Sequence, residues 1–283
     1  MSPALVPVTS LDPELEDLEV DLLLEGLFRR YGLDFRGYAR PSLVRRIRSC
    51  MAHEGAETIS MLADKLLHDP SCAARTVGRL TVHTTSMFRD AEFFHAFRTK
   101  VVPLLRTYPF VRIWHAGCST GEEVLSLAIV LAEEGLSRRC RTYATDLSVT
   151  HLERARLGIC SLEHMRDTTA RYRKSGGREE LSRYFVADER SAAFSRRLLD
   201  NVVFSQHDLV TGGSFNDFHV ILCRNVMIYF GSNLRDRVLG LFRESLVRFG
   251  ILGLGKRENL ALTPFSSRFA EMMTSTRLYR ATA

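Results

Sequence analysis

The chain has 283 residues, 45% of them hydrophobic, and a formal net charge of +6. That length supports one large core plus a smaller module. No apolar run reaches the roughly 18 residues of a membrane span, and the acidic stretch Asp12, Glu14, Glu16, Asp17, Glu19, Asp21 is unlike a signal peptide, so a cytoplasmic protein is expected.

Residues 1–10 contain two prolines and no periodicity, and read as a tail. Leu11, Leu15, Leu18 and Leu22 fall at helical spacing and predict an amphipathic helix ending near Gly32. Pro41 suits a first helical turn and Gly55 a stop; Leu43, Ile47 and Met51 share one face, so Arg45, Arg46 and Arg48 point mostly elsewhere. Ile59, Leu62, Ala63, Leu66 and Leu67 predict a third helix closed by Asp69-Pro70, and a further helical segment precedes Thr81. Residues 11–80 therefore read as a small all-α domain and 81–283 as a larger one.

Beyond it the texture changes. Val111–Trp114 is strand-like, Glu122–Gly135 helical, Arg141–Thr145 strand-like and His151–Leu157 helical. Further strands are expected at Val202–Ser205, Phe218–Leu222, Gly250–Leu254 and Thr276–Tyr279, with room for a helix between the last two. This alternation predicts an α/β fold, a doubly wound and mostly parallel sheet. A charged, partly helical insertion spans about 161–200. The six cysteines form no C-x-x-C pair and predict reduced thiols without structural zinc. The positive charge asks for an acidic partner without choosing among nucleic acid, lipid and protein.

The segment Val111-Arg-Ile-Trp-His-Ala-Gly-Cys-Ser-Thr-Gly-Glu-Glu-Val124 is a strand, a turn with two glycines and a helix start, where open α/β sheets bind ligands. A dinucleotide loop needs G-x-G-x-x-G and a pyrophosphate on the helix N-terminus. Here Glu122 and Glu123 would repel phosphates and attract an ammonium group. S-adenosylmethionine carries one. Asp146 ends the next strand, where a carboxylate can accept ribose hydroxyls, and Asp208-Leu209 follows a later strand, placed to meet adenine.

Two more segments, Thr81-Val-His-Thr-Thr-Ser-Met-Phe-Arg-Asp90 and Leu222-Cys-Arg-Asn-Val-Met-Ile-Tyr-Phe230, together with Gly-Cys-Ser-Thr-Gly-Glu-Glu, resemble the chemotaxis receptor glutamate O-methyltransferases, the CheR family, over roughly residues 20–280. The resemblance implies a class I methyltransferase-like (Rossmann-like) sheet. It implies a cofactor site of His83, Thr85, Arg89, Glu123, Asp146, Asp208, Leu209, Arg224 and Asn225, with Glu123 on the methionine ammonium. His83 and Asp208 stand where the family more often has asparagine. Some members grip a receptor tail peptide with a small β-hairpin; Val186–Ser195 here has no glycine and is short for it, so independence of such a tail is expected.

The implied reaction is attack of a receptor glutamate oxygen on the sulfonium methyl, giving a methyl ester and S-adenosylhomocysteine, with no metal. Arg89 and Tyr229 are the candidates for holding the substrate carboxylate, and Arg45, Arg46 and Arg48 for steering a glutamate-rich receptor helix. A monomer suffices. An RNA or small-molecule methyltransferase and a non-catalytic cofactor-binding regulator are the rival readings.

Overall fold

The computed structural model describes residues 12–81 and 85–282. The chain divides into two compact units, one up to Leu80 and one from Thr81 onward.

The first unit is four helices: α1 (Pro13–Tyr31), α2 (Arg40–Glu54), α3 (Ile59–His68) and α4 (Pro70–Leu80). Their ends follow local chemistry. Asp12 accepts the Glu14 N–H at 3.0 Å with Pro13 in the first turn of α1, and Gly32 closes the helix at φ 72°. Gly55 ends α2 at φ 61°, and Thr58 caps α3 through the Met61 N–H.

Two expectations need correction here. The buried stripe of α1 is Val20, Leu23, Leu24 and Leu27, while Leu15, Leu18 and Leu22 are exposed. This helix carries leucines on both faces, so spacing alone could not say which packs against α3. Arg46 does not face solvent with its neighbours. It is buried beside Leu43 and Ile47, and its guanidinium donates to the Leu80 carbonyl at 2.5 Å and to Ser42 Oγ at 2.7 Å. An unpaired carbonyl at the end of α4 recruits it. Arg45 and Arg48 are exposed, with Arg48 paired to Glu16.

In the second unit α5 (Ala91–Ala96) passes through a π turn at Phe97–Val101 into α6 (Val102–Leu105). There follow β1 (Val111–Ala116), α7 (Glu122–Glu133), β2 (Cys140–Asp146), α8 (Val149–Leu157), β3 (Ile159–Ser161) and α9 (Met165–Lys174). Next come β4 (Phe185–Ala187), β5 (Ser191–Phe194), β6 (Val202–Gln206), β7 (Phe218–Cys223), α10 (Ser232–Ser245), β8 (Leu246–Leu254), β9 (Phe269–Met273) and β10 (Leu278–Ala281). Seven strands form one sheet in the order β6-β2-β1-β7-β8-β10-β9. The first five run parallel and β10 is antiparallel to both its neighbours. This is the doubly wound, mostly parallel sheet expected.

The central strands are buried on both faces, as parallel sheets require. From β1, Ile113 packs in the cluster holding Phe93, Phe94 and Leu127, while Trp114 points the other way onto Phe218 and Phe242 of α10. The sequence did not single out α10 or β9. Between β8 and β9 there is only a short 3-10 turn, Ser266–Arg268, and β8 starts four residues before Gly250. The insertion does contain a hairpin: β4 and β5 pair, with β3 on the far side of β5. Asp188 replaces the missing glycine by accepting the N–H groups of Arg190 and Ser191 at 2.8 and 2.6 Å.

The C-terminal end of α7 holds a dense ionic cluster. Arg98 pairs with Glu133 and Glu134; Glu134 also meets Arg106 at 2.8 Å and Arg178 at 2.9 Å. The hydroxyls of Tyr172 and Tyr184 donate to Glu133, whose carboxyl is held below its usual range by Tyr172 and Arg98 against the effect of burial. All six cysteines are free and buried. Among the described residues no helix is long and apolar enough to cross a membrane, and no cluster could hold a metal ion.

Candidate active site

The site is built at the carboxyl ends of β1, β2 and β7, where three loops meet. After β1 the chain turns through Gly117 and Gly121, both in the left-handed region, with Ser119 there as well at φ 50°. The glycines serve packing: a Cβ on Gly117 would lie 2.6 Å from Val226, and one on Gly121 2.9 Å from Ala155. The first contact locks this turn to the loop after β7, the second to α8.

Asp146 ends β2, its two oxygens accepting the Ser119 N–H at 2.8 Å and the Ser148 N–H at 2.9 Å. One acceptor position per oxygen remains. His151 Nδ1 lies 3.5 Å from Oδ1. Asp208 shapes its own turn, taking the Val210 N–H and the Thr211 hydroxyl, with Leu209 buried behind it. The rings of His207 and Phe215 fasten that loop to Trp114.

Arg224 is the hub. Its side chain is 1% exposed and donates to Glu123 at 2.6 Å, to Asp90 at 2.7 Å and to the Arg89 carbonyl at 3.1 Å, with its guanidinium 4.0 Å above the Phe93 ring. A guanidinium buried this deeply needs such pairing. The network binds the turn at 88–90 to the start of α7, and the Phe88 N–H to Ser126 Oγ contact at 2.9 Å adds a second tie. Phe88 and Asp90 both have positive φ, 51° and 56°, a strained setting of the kind found around ligands. Arg89 between them is half-exposed, while Asp90 pairs with Arg224 and Glu92 with Lys174.

Glu123 is pushed up by burial and pulled down by Arg224, the balance leaving it above its ordinary value. His115, beside it at 3.8 Å, is driven down to about 3 by burial and by Arg224, so it is neutral. Asn225 adopts φ 61°, and its buried Oδ1, like Ser119 Oγ and His115 Nε2, has no hydrogen-bond partner among the described residues. Thr85 and Tyr229 are half-buried. His83 lies outside the described residues.

The structure thus gathers Glu123, Arg224 and Asn225 with the Arg89–Asp90 turn, and sets Asp146 and Asp208-Leu209 along adjoining strand ends. Three neighbours escaped the sequence reading. Asp90 stands inside a segment already singled out, and His115 is a polar residue in the apolar run of β1. Glu258, which accepts four backbone N–H groups from both sides of this site, carries no local signal beyond following a strand.

Comparison with known proteins decides the family. Residues 83–277 match the CheR methyltransferase SAM-binding domain and residues 18–81 the CheR methyltransferase all-alpha domain. The chain belongs to the CheR methyltransferase family. It is 43% identical to the putative methyltransferase Cher3 of Pseudomonas putida over 93% of this chain and 97% of that protein. It is 29% identical to the chemotaxis protein methyltransferase of Listeria innocua, covering 87% of this chain and 92% of the relative. With that of Escherichia coli it shares 28% identity over 87% and 86%. As a CheR-type protein it is an S-adenosylmethionine-dependent methyltransferase, and the polar groups gathered here fit such a cofactor: the carboxylates of Glu123 and Asp146, and the buried Asn225 Oδ1 and Ser119 Oγ, which have no hydrogen-bond partner among the described residues.

Proposed function

We propose that this CheR protein methylates glutamate side chains on the cytoplasmic helices of chemotaxis-type receptors, yielding glutamate methyl esters and S-adenosylhomocysteine. The observation that supports this reading is the Arg224 network, whose buried guanidinium joins Glu123 to the Arg89–Asp90 turn. The names of relatives, chemotaxis protein methyltransferases, support the acceptor.

In this assignment Glu123 takes the methionine ammonium, Asp146 the ribose hydroxyls, Asp208 the exocyclic adenine amine and Leu209 its ring, with Thr85 and Asn225 completing the pocket. Bound S-adenosylmethionine supplies a methyl group on a sulfonium. A receptor glutamate is already ionised near neutral pH, so no general base is required. Arg89 and Tyr229 hold its carboxylate in line; Arg89 serves geometry, since a tight bidentate pair would stabilise the ground state. Alignment of this kind recovers roughly 7–11 kcal/mol of barrier. Excluding water favours a step in which opposite charges disappear.

Arg45 and Arg48, exposed on α2, steer the acidic helix, and the helical domain serves as the receptor contact. The three- and four-residue strands of the β4–β5 hairpin favour action without a receptor tail peptide. The deciding experiment incubates the protein with methyl-labelled cofactor and membranes bearing chemoreceptors. Base-labile label released as methanol is the expected result. Stable label on RNA, or tight cofactor binding without transfer, rejects the proposal in favour of an RNA methyltransferase or a regulator.

A further inference from the structure

Glu258 is 6% exposed in the loop that follows β8. Its Oε1 accepts the N–H groups of Val226 at 3.0 Å and Ile228 at 3.2 Å; its Oε2 accepts those of Asn225 at 2.9 Å and Gly255 at 2.6 Å. Four donors fill the four lone-pair positions of an ionised carboxylate. Among the described residues it makes no salt bridge. A loop whose successive N–H groups converge in this way is a nest for an anion, and here the chain fills the nest with its own side chain.

What the nest holds is the segment from Asn225 to Tyr229. Asn225 is in the left-handed region at φ 61°, a conformation that a side-chain-bearing residue keeps only where its surroundings hold it there. Gly255 is pressed against the same place, since a Cβ there would lie 2.7 Å from both the Asn225 nitrogen and Glu258 Oε2. Val226, held by Oε1, is the residue that meets Gly117 on the turn before α7. The 3-10 turn Met227–Tyr229 follows directly.

We propose that Glu258 is a positioning residue of the methyl-transfer site. Its carboxylate fixes the backbone from Asn225 to Ile228 and thereby aims Asn225 at the cofactor, Tyr229 at the acceptor carboxylate and Val226 at the Gly117 turn. The assignment of those targets rests on the function proposed above; the control of the loop by Glu258 does not.

Glu258→Gln tests it, because an amide can replace only one of the two accepting oxygens and turns an N–H donor toward the others. The reference variant is Arg98→Met, which weakens the fold at the other end of α7 away from this loop. Each protein is assayed at a temperature where circular dichroism shows it fully folded. Expected for Glu258→Gln are at least a threefold rise in the S-adenosylhomocysteine Kd and at least a tenfold fall in kcat. Arg98→Met should stay within twofold on both despite an equal or greater loss in Tm. If Glu258→Gln does not fold, Glu258→Asp, which keeps the charge but withdraws it by one methylene, is held to the threefold criterion. A folded variant with Kd and kcat within twofold of wild type overturns the proposal. If the wild-type protein fails to methylate receptors, the functional reading fails, and the Kd arm still decides the role of Glu258.

Discussion

The two ends of α7 are both acidic, and the protein treats them in opposite ways. At the N-terminal end Glu122 and Glu123 agree with the helix dipole, yet the turn before them is strained, and Ser119 Oγ and His115 Nε2 lack partners among the described residues. At the C-terminal end Glu133 and Glu134 oppose the dipole, yet Arg98, Arg106, Arg178, Tyr172 and Tyr184 surround them. One end keeps acceptors open for a ligand, and the other closes every acceptor it can. The helix is fastened at the back so that its front can carry unmet polar groups.

The largest effect expected from this contrast is on stability. Arg98→Met leaves two buried carboxylates short of a cation and should cost about 3–5 kcal/mol in urea unfolding. A loss under about 1 kcal/mol would mean that the C-terminal cluster is no clamp. At the other end, Glu123→Gln keeps an acceptor toward Arg224 but removes the charge an ammonium needs. Calorimetry should show S-adenosylhomocysteine bound more weakly by about 1.5–3 kcal/mol, with less loss of stability than Arg98→Met causes. The reverse ranking in either assay would erase the division of labour.

His115 gives a smaller, pH-dependent signature. Its folded-state value, about 3, lies well below the 6.5 of the unfolded chain. As pH falls below 6.5 the unfolded state takes a proton that the folded state refuses, so stability drops through that window, by at most about 1.4 kcal/mol per pH unit. His115→Ser should flatten the dependence between pH 7.5 and 5.5 by about 1 kcal/mol; parallel curves for the two proteins would show that His115 does not titrate differently on folding. Smallest of all is the steering by Arg45 and Arg48. Reversing both charges should raise the receptor KM severalfold at low salt and leave cofactor Kd unchanged, and an equal change in both would remove them from receptor contact.

What could be read from the sequence was what local chemistry dictates. The turn Gly117–Glu123, the acid at the end of β2 and the Arg224–Phe230 string announce themselves through residue type and spacing. Helix ends at Gly32 and Gly55 do the same through the left-handed conformation that glycine accepts. Partnerships made across the chain were hidden. Arg46 reads as a surface charge until the end of α4, 34 residues on, supplies a carbonyl for it. Leu15 and Leu23 are equally apolar, and only the packing of α3 against α1 tells them apart. Glu258 meets Asn225 from 33 positions away. The turn of the hairpin at 185–194 carries no glycine signal, because Asp188 does by side-chain hydrogen bonding what a glycine does by conformational freedom.

The strand order carries a consequence for how the chain becomes a sheet. β10 lies between β8 and β9 although it follows both, and β9 pairs with nothing else in the sheet. Until β10 is in place, β8 therefore has an unpaired edge and β9 has no template to join. Such an edge is a site for mispairing with other chains. A released chain truncated before Leu278 should be captured by chaperones, whereas one that extends just past Ala281 should not.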